Sequence, residues 1–326
     1  MENPLIELRN LKTHFRIRRG MIHDLIEKKS FVHAVDDVSF EIRRGETFGL
    51  VGESGCGKTT LGRTMIRLVE PTAGEFFFEG MSVFDMAPEA LRTLRRELQI
   101  IFQDPYASLN PRKTVHHIVA SPLRTHQIVD RTQVKEKVLD LLDKVGLQRE
   151  HVDRYPHQFS GGQRQRIGIA RALATSPRFI IADEPLSALD VSIQAQILNL
   201  LEKLKEEFHL TYLFISHDLN VVSYFSDRVA VMYLGQLVEL GKADIIFKSP
   251  AHPYSKALIS AILNARSDHS KKKIRLLGDI STPIDPPPGC RFFKRCYSKK
   301  GNICEDSNPM WVEIEPGHYV ACHHFS

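Results

Sequence analysis

The sequence of 326 residues has little cysteine and no long apolar run, and both scarcities exclude classes of protein. No stretch without Asp, Glu, Lys or Arg exceeds 11 residues. A membrane-spanning helix needs about 20 apolar residues, so we expect no transmembrane segment. The first residues lack the basic start and apolar core of a secretory signal, which predicts a cytoplasmic location. A hydrophobic share of 42% and a charged share of 25% exclude a wholly disordered, collagen-like or coiled-coil chain.

The charge is almost balanced, with 44 Lys and Arg against 39 Asp and Glu. This mild basic excess is compatible with phosphate, nucleic acid or an anionic membrane face, and equally with an ordinary solvated surface. Only Cys56 precedes residue 290, and the other four cysteines lie in the last 37 residues. Cytosolic proteins rarely hold disulfides, so this C-terminal cluster favours a metal site.

Strand and helix patterns alternate along the chain, which predicts an α/β core. The strand patterns cover residues 5–17, 34–42, 47–51, 74–80, 179–182, 212–215 and 228–240, and the helical ones 60–68, 133–145 and 194–208. After residue 263 the chain becomes polar and then proline-rich. We therefore predict a first domain over residues 1–264, a linker over 265–288 and a Cys-rich tail over 289–326. The tail is too short for an ordinary hydrophobic core and needs a staple such as a metal.

Residues 52–59 match the pattern G-x-x-x-x-G-K-[ST] between a buried strand and a helix. This is the context of a phosphate-binding loop, whose glycines let backbone N–H groups approach phosphates. We expect Lys58 to reach the β- and γ-phosphates and the Thr59 hydroxyl to bind Mg²⁺. The predicted ATP-binding residues of this loop are Gly52, Glu53, Ser54, Gly55, Cys56, Gly57, Lys58, Thr59 and Thr60.

The apolar run at residues 179–182 ends in two carboxylates, Asp183 and Glu184. At the carboxyl edge of a parallel strand, Asp183 is expected to hold the Mg²⁺ shell and Glu184 to polarise the water that attacks the γ-phosphate. Adjacent strand residues point to opposite faces, which predicts separate roles for the two groups.

A second candidate anion site is Ser160-Gly161-Gly162-Gln163, with Ser160 as the cap of a helix. With this element the chain resembles the ATP-binding subunits of ABC transporters, whose signature is Leu-Ser-Gly-Gly-Gln. Phe159 stands at the Leu position. The resemblance covers about residues 5–325. It implies an α/β P-loop NTPase of the ABC type, with an antiparallel β-subdomain, a helical subdomain at about residues 105–170 and a small Cys-rich C-terminal extension.

The resemblance also implies ATP and Mg²⁺ as cofactors and assigns roles that the patterns leave open. Gln103 matches the glutamine loop, His217 the switch histidine that acts with the catalytic Glu184, and Phe15 is expected to stack on adenine. The implied Mg²⁺ contacts are Thr59, Gln103 and Asp183. In the family the signature binds the γ-phosphate held by the opposite subunit, so the residues expected to act in trans are Ser160, Gly161, Gly162, Gln163 and Asp190 of the D-loop.

Within the family, residues 102–112 and the run that begins His252-Pro253-Tyr254 are similar to the dipeptide/oligopeptide importer ATPases. The insertion at residues 16–29 suits the second of the two paired ATPases. This resemblance implies a heterodimer with a paralogous ATPase, two membrane-spanning permease subunits and an external solute-binding protein, at the cytoplasmic face of the membrane. It implies no nucleic acid. The alternatives are an importer of nickel, oligosaccharide or another solute, or a soluble ABC-type ATPase acting on nucleic acid.

Three interpretations of the tail remain open. The spacings between Cys290, Cys296, Cys304 and Cys322 are longer than the two close pairs usual for structural zinc. Four spread thiolates suit an iron–sulfur cluster, and similar tails in the family hold a [4Fe–4S] cluster in some members. Zn²⁺ is the second interpretation, with His318, His323 or His324 as substitute ligands. Free buried thiols are the third.

Overall fold

The structure is a computed structural model that describes residues 3–17, 30–263, 274, 276 and 283–326. Of the insertion predicted at residues 16–29, residues 18–29 lie outside the described residues, and so does most of the predicted linker. The chain divides into two compact units. The first contains Met1–Ile42, Phe48–Phe84 and Ser216–Ser326, and the second contains Arg43–Thr47 and Asp85–Ile215.

The described residues form strands and helices in the alternation that the sequence predicts. The strands are β1 (Ile6–Arg16), β2 (Phe31–Ile42), β3 (Thr47–Val51), β4 (Ala73–Phe78), β5 (Met81–Ser82), β6 (Leu98–Ile101), β7 (Phe179–Asp183), β8 (Thr211–Ile215), β9 (Arg228–Tyr233), β10 (Gln236–Lys242), β11 (Trp311–Glu315) and β12 (His318–Ala321). The helices are α1 (Lys58–Met65), α2 (Pro88–Leu94), α3 (Pro105–Ser108), α4 (Val115–Thr125), α5 (Val134–Lys144), α6 (Gly161–Leu173), α7 (Val191–Phe208), α8 (Leu219–Phe225), α9 (Ala243–Lys248), α10 (Pro253–Leu263) and α11 (Ile303–Asp306). Among these helices, none is both long enough and apolar enough to cross a bilayer.

The first unit contains an antiparallel sheet in the order β2-β1-β4-β5. Its central strand β1 alternates buried and more exposed residues, because one face packs on the core. Ile6 lies opposite Ile42 of β2 and opposite Phe78 of β4, and all three side chains are fully buried. The predicted antiparallel β-subdomain is therefore present.

The same unit also contains the strand series β11-β12-β10-β9-β3. Strand β3 is buried along its whole length and runs parallel to β9. The tail contributes the other end of the series, because β12 pairs with β10 through Glu239 and Val320. Fully buried Glu239 accepts hydrogen bonds from the backbone N–H groups of Ala251 (2.7 Å) and His252 (3.0 Å), just before α10 begins. The Cys-rich tail and the strand that leads into the phosphate loop thus share one compact unit.

The second unit contains three parallel strands in the order β6-β7-β8 and the helices α2 to α7. Strand β7 is entirely buried, which explains the unbroken apolar run that precedes Asp183 in it. Helix α5 buries Val134, Val138, Leu141 and Leu142, the face that the sequence predicts. Helix α7 begins at Val191, three residues earlier than the pattern indicates, because the Asp190 side chain caps it by accepting from Ile193 N.

Candidate active site

The phosphate loop connects β3 to α1 and takes a backbone course that its glycines permit. Gly57 caps α1 with φ +110°, and a Cβ at this position would lie 1.9 Å from the Ala34 carbonyl oxygen. Around Gly55, by contrast, an added Cβ would meet no atom within 4 Å, so the loop is open on that side. No side chain caps the first turn of α1. Its N–H groups and helix dipole therefore suit an anion such as phosphate.

Lys58 lies in the concavity of this loop with only 4% of its surface exposed. Its ammonium donates to the carbonyl oxygens of Gly52 (2.8 Å) and Glu53 (3.0 Å), which holds the charge inside the loop. Thr59 is half-buried beside it. The Cys56 thiol is buried 3.8 Å from the ammonium, and burial raises its pKa. The loop residues predicted to hold phosphate and Mg²⁺ are thus grouped at the start of α1.

The two predicted carboxylates leave β7 by different routes. Asp183 is the last residue of the strand, is buried, and pairs with Ile215 of β8. Glu184 leaves the strand with φ +46°, so the expected strand alternation is not what directs the two side chains. Its backbone N–H donates to the Ile215 carbonyl (2.9 Å), and its own carbonyl accepts from Ser187 N (3.2 Å). These two hydrogen bonds hold Glu184 in a left-handed backbone conformation. This conformation, and not strand alternation, sets the direction of its carboxylate relative to that of Asp183.

Gln103 and Glu184 are brought together although 81 residues separate them in the chain. The Gln103 amide Nε2 donates to Glu184 Oε2 at 3.0 Å. Gln103 follows β6 and is exposed, and Glu184 is half-buried. This places the predicted glutamine loop directly on the predicted water-activating carboxylate in the second unit.

The predicted signature forms the start of α6. Ser160 caps the helix, with its hydroxyl accepting from Gln163 N (3.3 Å) while the Gln163 side chain accepts from Ser160 N (3.1 Å). Gly162 has room for no side chain, since a Cβ would lie 2.4 Å from Ile193 Cγ2 of α7. Phe159 is buried and packs edge-on against His151 at 5.3 Å. The second glycine is therefore required by helix packing, and Ser160 remains on the exposed surface.

Asp190 lies at the helix start that packs on this signature. Its carboxylate accepts from Ile193 N (3.0 Å) and from the Ser192 hydroxyl (2.7 Å). The Ile193 N–H is the main cause that lowers the pKa of Asp190. Asp190, the predicted D-loop residue, is thus exposed and anionic. The helix that it caps packs against α6, which begins at the exposed signature serine.

The remaining predicted nucleotide residues belong to the first unit. His217 is exposed just before α8, where Asp218 caps that helix by accepting from Asn220 N (2.9 Å). Phe15 lies on β1 opposite Val32 and is 43% exposed, which leaves its ring available for stacking. Of the predicted Mg²⁺ contacts, Thr59 also belongs to this unit, while Gln103 and Asp183 belong to the second.

Comparisons with known proteins identify the family. The model of the family "ABC transporter" matches residues 35–187, and that of "Oligopeptide/dipeptide transporter, C-terminal region" matches residues 238–304. The oligopeptide transport ATP-binding protein AppF of Bacillus subtilis is 51% identical over 328 residues, covering 100% of this chain and 98% of AppF. The chain belongs to the ATP-binding proteins of the oligopeptide/dipeptide ABC transporter family. It is accordingly an ABC-type ATPase, which uses ATP and Mg²⁺.

Further relatives agree with this assignment. The dipeptide transport ATP-binding protein DppF of Escherichia coli is 47% identical, covering 99% of this ABC ATPase and 95% of DppF. A dimeric ATP-binding cassette solved in a post-hydrolysis state with ADP and phosphate is 29% identical, with a TM-score of 0.64 over 73% of this chain and 98% of that one. A cassette from a Clostridium perfringens ABC transporter complex, 24% identical with a TM-score of 0.65 over 82% and 96%, shares the fold. The predicted fold class is confirmed.

In the tail of this ABC ATPase, the four cysteines are near enough to affect the ionisation of one another. Burial raises the pKa of the Cys290 thiol to about 11, and the thiols of Cys322, Cys304 and Cys296 add to the increase. No three of the four sulfurs lie within 4.8 Å of one another. The Ser298 N–H donates to Cys296 Sγ and the Lys300 N–H to Cys304 Sγ, each at 3.4 Å. The backbone N–H groups of Phe292 and His324 lower the pKa of Cys290 and Cys322 and partly offset the effect of burial.

The histidines of the tail are engaged elsewhere. His318 Nε2 contacts Glu239 Oε1 at 2.8 Å, His323 Nε2 contacts the Ser307 carbonyl at 2.9 Å, and His324 Nε2 contacts the Ser298 carbonyl at 2.7 Å. Among the described residues, the one compact group of possible ligand atoms is His14, His33 and Asp36. There the Arg291 guanidinium already pairs with Asp36.

Sequence reasoning missed a contact between the tail and the phosphate loop. Arg295, in the short turn Phe293–Arg295, forms a two-pronged ion pair with Glu53 (2.6 and 3.0 Å). The Tyr254 hydroxyl accepts from Glu53 N at 2.9 Å. The pair joins residues 242 apart, so no local pattern could reveal it. The only signal in the sequence is the His252-Pro253-Tyr254 run, which by itself indicates a family resemblance and not a contact.

Proposed function

We propose that this ABC ATPase powers the import of dipeptides or oligopeptides as a peripheral subunit bound to two membrane-spanning permease subunits, with an external solute-binding protein delivering the peptide. The observation that carries this proposal is the region from β10 to the Cys-rich tail. It matches the C-terminal region of oligopeptide/dipeptide transporters, and its Tyr254 hydroxyl contacts the phosphate loop. Full-length relatives named for oligopeptide and dipeptide transport support the same substrate class.

Affinity purification of the chain from native membranes tests this function. We expect two permease subunits to be recovered with it. Vesicles containing the purified complex should then accumulate dipeptides or oligopeptides only when ATP and the solute-binding protein are supplied. Accumulation of nickel or an oligosaccharide instead of peptide would contradict the proposed substrate, and recovery of nucleic acid without permeases would contradict transport.

Within the catalytic cycle, we infer separate roles for the residues of the two units. The loop and the start of α1 bind the phosphates, Phe15 stacks on adenine, and Glu184 polarises the attacking water while His217 contacts the γ-phosphate. The geometry around Glu184 supports this, because Gln103 orients its carboxylate at 3.0 Å. Bound Mg²⁺ neutralises charge on the phosphates, and the residues proposed to hold it are Thr59, Gln103 and Asp183. Their hydroxyl, amide and carboxylate oxygens are the hard donors that Mg²⁺ prefers.

We also propose that the working ATPase is a head-to-tail heterodimer with a paralogous subunit. The exposed cap of α6 supports this arrangement, because Ser160 and the N-terminal N–H groups of the helix suit a phosphate presented by another chain. The dimeric state of a similar solved cassette agrees with it. The residues that would serve the partner's nucleotide are Ser160, Gly161, Gly162, Gln163 and Asp190.

For the tail, we propose that Cys290, Cys296, Cys304 and Cys322 hold a [4Fe–4S] cluster, which needs four thiolate ligands. The mutual influence of the four thiols and the N–H donors on Cys296 and Cys304 support the fit, since such hydrogen bonds are typical around cluster sulfurs. The spacing of the sulfurs argues against zinc. Thiolates around Zn²⁺ at a bond length of about 2.3 Å lie roughly 3.8 Å apart, closer than this set, in which no three lie within 4.8 Å.

Purification without oxygen tests the cluster. The protein should be brown, absorb broadly at about 400 nm and contain about four irons per chain. Cys304→Ser should lose most of the iron, whereas Cys56→Ser, which removes the one cysteine outside the tail, should retain it. One zinc per chain and no iron would contradict the cluster and support the zinc alternative. A protein that contains neither metal would support free buried thiols.

A further inference from the structure

Glu53 of the phosphate loop is held at every polar group by its surroundings. Its backbone N–H donates to the Tyr254 hydroxyl (2.9 Å), its carbonyl accepts from the Lys58 ammonium (3.0 Å), and its carboxylate pairs with Arg295. The same carbonyl also accepts from Cys56 N (3.3 Å). Tyr254 and Arg295 come from the C-terminal region, so the backbone N–H and the carboxylate of this loop residue are both held from there. Residues outside the β3–α1 segment therefore help to set the conformation of the phosphate loop.

The Arg295–Glu53 pair is largely withdrawn from water. The side chain of Arg295 is 8% exposed and that of Glu53 is 21% exposed. The Arg295 guanidinium lies over the Tyr233 ring, 5.9 Å from its centre. Tyr233 packs against Tyr254 (4.7 Å) and Phe292 (5.2 Å), which are themselves 5.4 Å apart. A bidentate guanidinium–carboxylate pair in such surroundings is directional and little screened by salt.

The tail has a second anchor within the first unit. Arg291, whose side chain is 6% exposed, donates to the Leu234 carbonyl and to Asp36. Gly235 follows Leu234, and its N–H donates to the Cys56 carbonyl in the phosphate loop (2.8 Å). Two arginines four residues apart thus connect the turn between Cys290 and Cys296 to the loop and to its immediate neighbours.

Electrostatics give Arg295 a role in binding as well as in packing. The loop must accept several negative charges of a nucleotide, and the Glu53 carboxylate is a further negative charge within the loop itself. At short range and low exposure such like charges repel strongly. Arg295 offsets the charge of this carboxylate and holds both of its oxygens.

We propose that Arg295 is a positioning residue for the nucleotide, through which the Cys-rich tail sets the affinity of the phosphate loop. The inference rests on the proposed nucleotide site at that loop. Arg295 immediately precedes Cys296, so a single peptide unit separates the side chain that holds Glu53 from a cysteine of the tail. Linkage requires that the effect be reciprocal, so nucleotide binding also stabilises the tail.

Nucleotide binding to the full-length chain tests this role. Arg295→Gln should weaken ADP and ATP affinity about tenfold, within the roughly 5- to 150-fold range of typical couplings between sites. In the assembled transporter it should raise KM for ATP far more than it lowers kcat. Arg295→Lys, which keeps the charge but loses the two-pronged geometry, should bind with intermediate affinity. Lys294→Gln is the matched control, since it removes the same charge from an exposed neighbour in the same turn.

A double variant separates positioning from folding. Removing the carboxylate as well, in Arg295→Gln with Glu53→Gln, should restore most of the affinity while leaving the thermal midpoint lowered, because the ion pair is still absent. Unchanged affinity in Arg295→Gln overturns the proposal. A double variant as weak as Arg295→Gln also overturns it and leaves only a packing role. If Lys58→Ala binds nucleotide as well as the wild type, the proposed nucleotide site itself is wrong, which is a distinct result.

Discussion

Glu184 shows how one residue's backbone can direct its chemistry. It is a non-glycine residue with φ +46°, a conformation that costs about 1–3 kcal/mol and persists only where surrounding contacts enforce it. Here the enforcing contacts are the Ile215 carbonyl on one side and Ser187 on the other. With the backbone fixed, the Gln103 amide can hold the carboxylate at 3.0 Å.

The first prediction follows from this arrangement. Glu184→Gln keeps the size of the side chain and a carbonyl oxygen for Gln103, but it removes the charge that polarises water. ATP binding should be retained, and turnover should fall by at least about 10²-fold, since general-base contributions are commonly ~10²–10⁴. Phosphate release by the assembled complex measures this effect. Glu206→Gln, an exposed change on α7, is the control, and near-normal turnover in Glu184→Gln would exclude it as the base.

A second prediction at this scale concerns His252, which is 1% exposed. Burial lowers the pKa of this imidazole to about 4, outweighing the opposing effect of Glu239. Between pH 6.5 and 4 the unfolded chain takes up a proton at this residue that the folded chain does not. Stability therefore falls as the pH drops through this window, by ~3 kcal/mol in total at 1.36 kcal/mol per pKa unit.

Comparison with His252→Asn isolates this effect. The Asn side-chain oxygen can replace Nδ1 as acceptor of the Tyr254 N–H (3.0 Å), but it does not titrate. Urea unfolding of both proteins at a series of pH values should show a steeper loss for the wild type below pH 6.5. Parallel curves would mean that His252 is protonated in the folded protein as readily as in the unfolded one.

At the scale of elements, the sequence predicts most of what is local. Alternation of residue types reveals β1, unbroken apolar runs reveal β3 and β7, and the phosphate loop is read from the spacing of its glycines. The start of α7 was placed three residues late, because the apolar pattern begins after the polar first turn that Asp190 caps. Strand alternation predicts that the side chains of Asp183 and Glu184 point to opposite faces, whereas in the structure the left-handed backbone of Glu184 sets the direction of its side chain.

Contacts between distant segments were not predictable in the same way. Neither the Gln103–Glu184 nor the Arg295–Glu53 hydrogen bond follows from a pattern in one segment, since each depends on how several strands pair. Resemblance to a family supplied the first contact indirectly, by naming both residues. It did not supply the Arg295–Glu53 contact, because Arg295 belongs to none of the family motifs that the sequence contains.

The third prediction compares two glycines in α6. Gly162 packs against Ile193, and a Cβ there would lie 2.4 Å from Cγ2, so Gly162→Ala should overpack the contact with α7 and destabilise the protein by ~1–3 kcal/mol. At Gly168 an added Cβ meets no atom within 4 Å. Gly168→Ala should therefore stabilise the same helix by ~0.5–1 kcal/mol. Denaturant unfolding measures both, and equal effects would contradict the packing difference.

At the scale of the whole molecule, the exposed signature is what the proposed second subunit would use. Its serine caps α6 and faces solvent, while Lys58 is enclosed by its own loop. In the proposed heterodimer each phosphate loop is completed by the signature of the other chain. Hydrolysis should then depend on dimer formation, and a defect in one signature should appear at the partner's nucleotide.

The fourth prediction tests this dependence. Ser160→Arg places a bulky cation at the signature and should abolish hydrolysis at the partner's phosphate loop, while ATP affinity at Lys58 stays unchanged. Thr114→Arg is the matched control, because Thr114 caps α4 in the same unit through the His117 N–H and has no proposed role in trans. Each variant is combined with a partner whose own signature is intact, and single-turnover phosphate release is followed at both sites. The sandwich arrangement fails if the isolated chain hydrolyses ATP at a specific rate that does not change with protein concentration, because only an assembly of two chains makes that rate rise as the dimer forms.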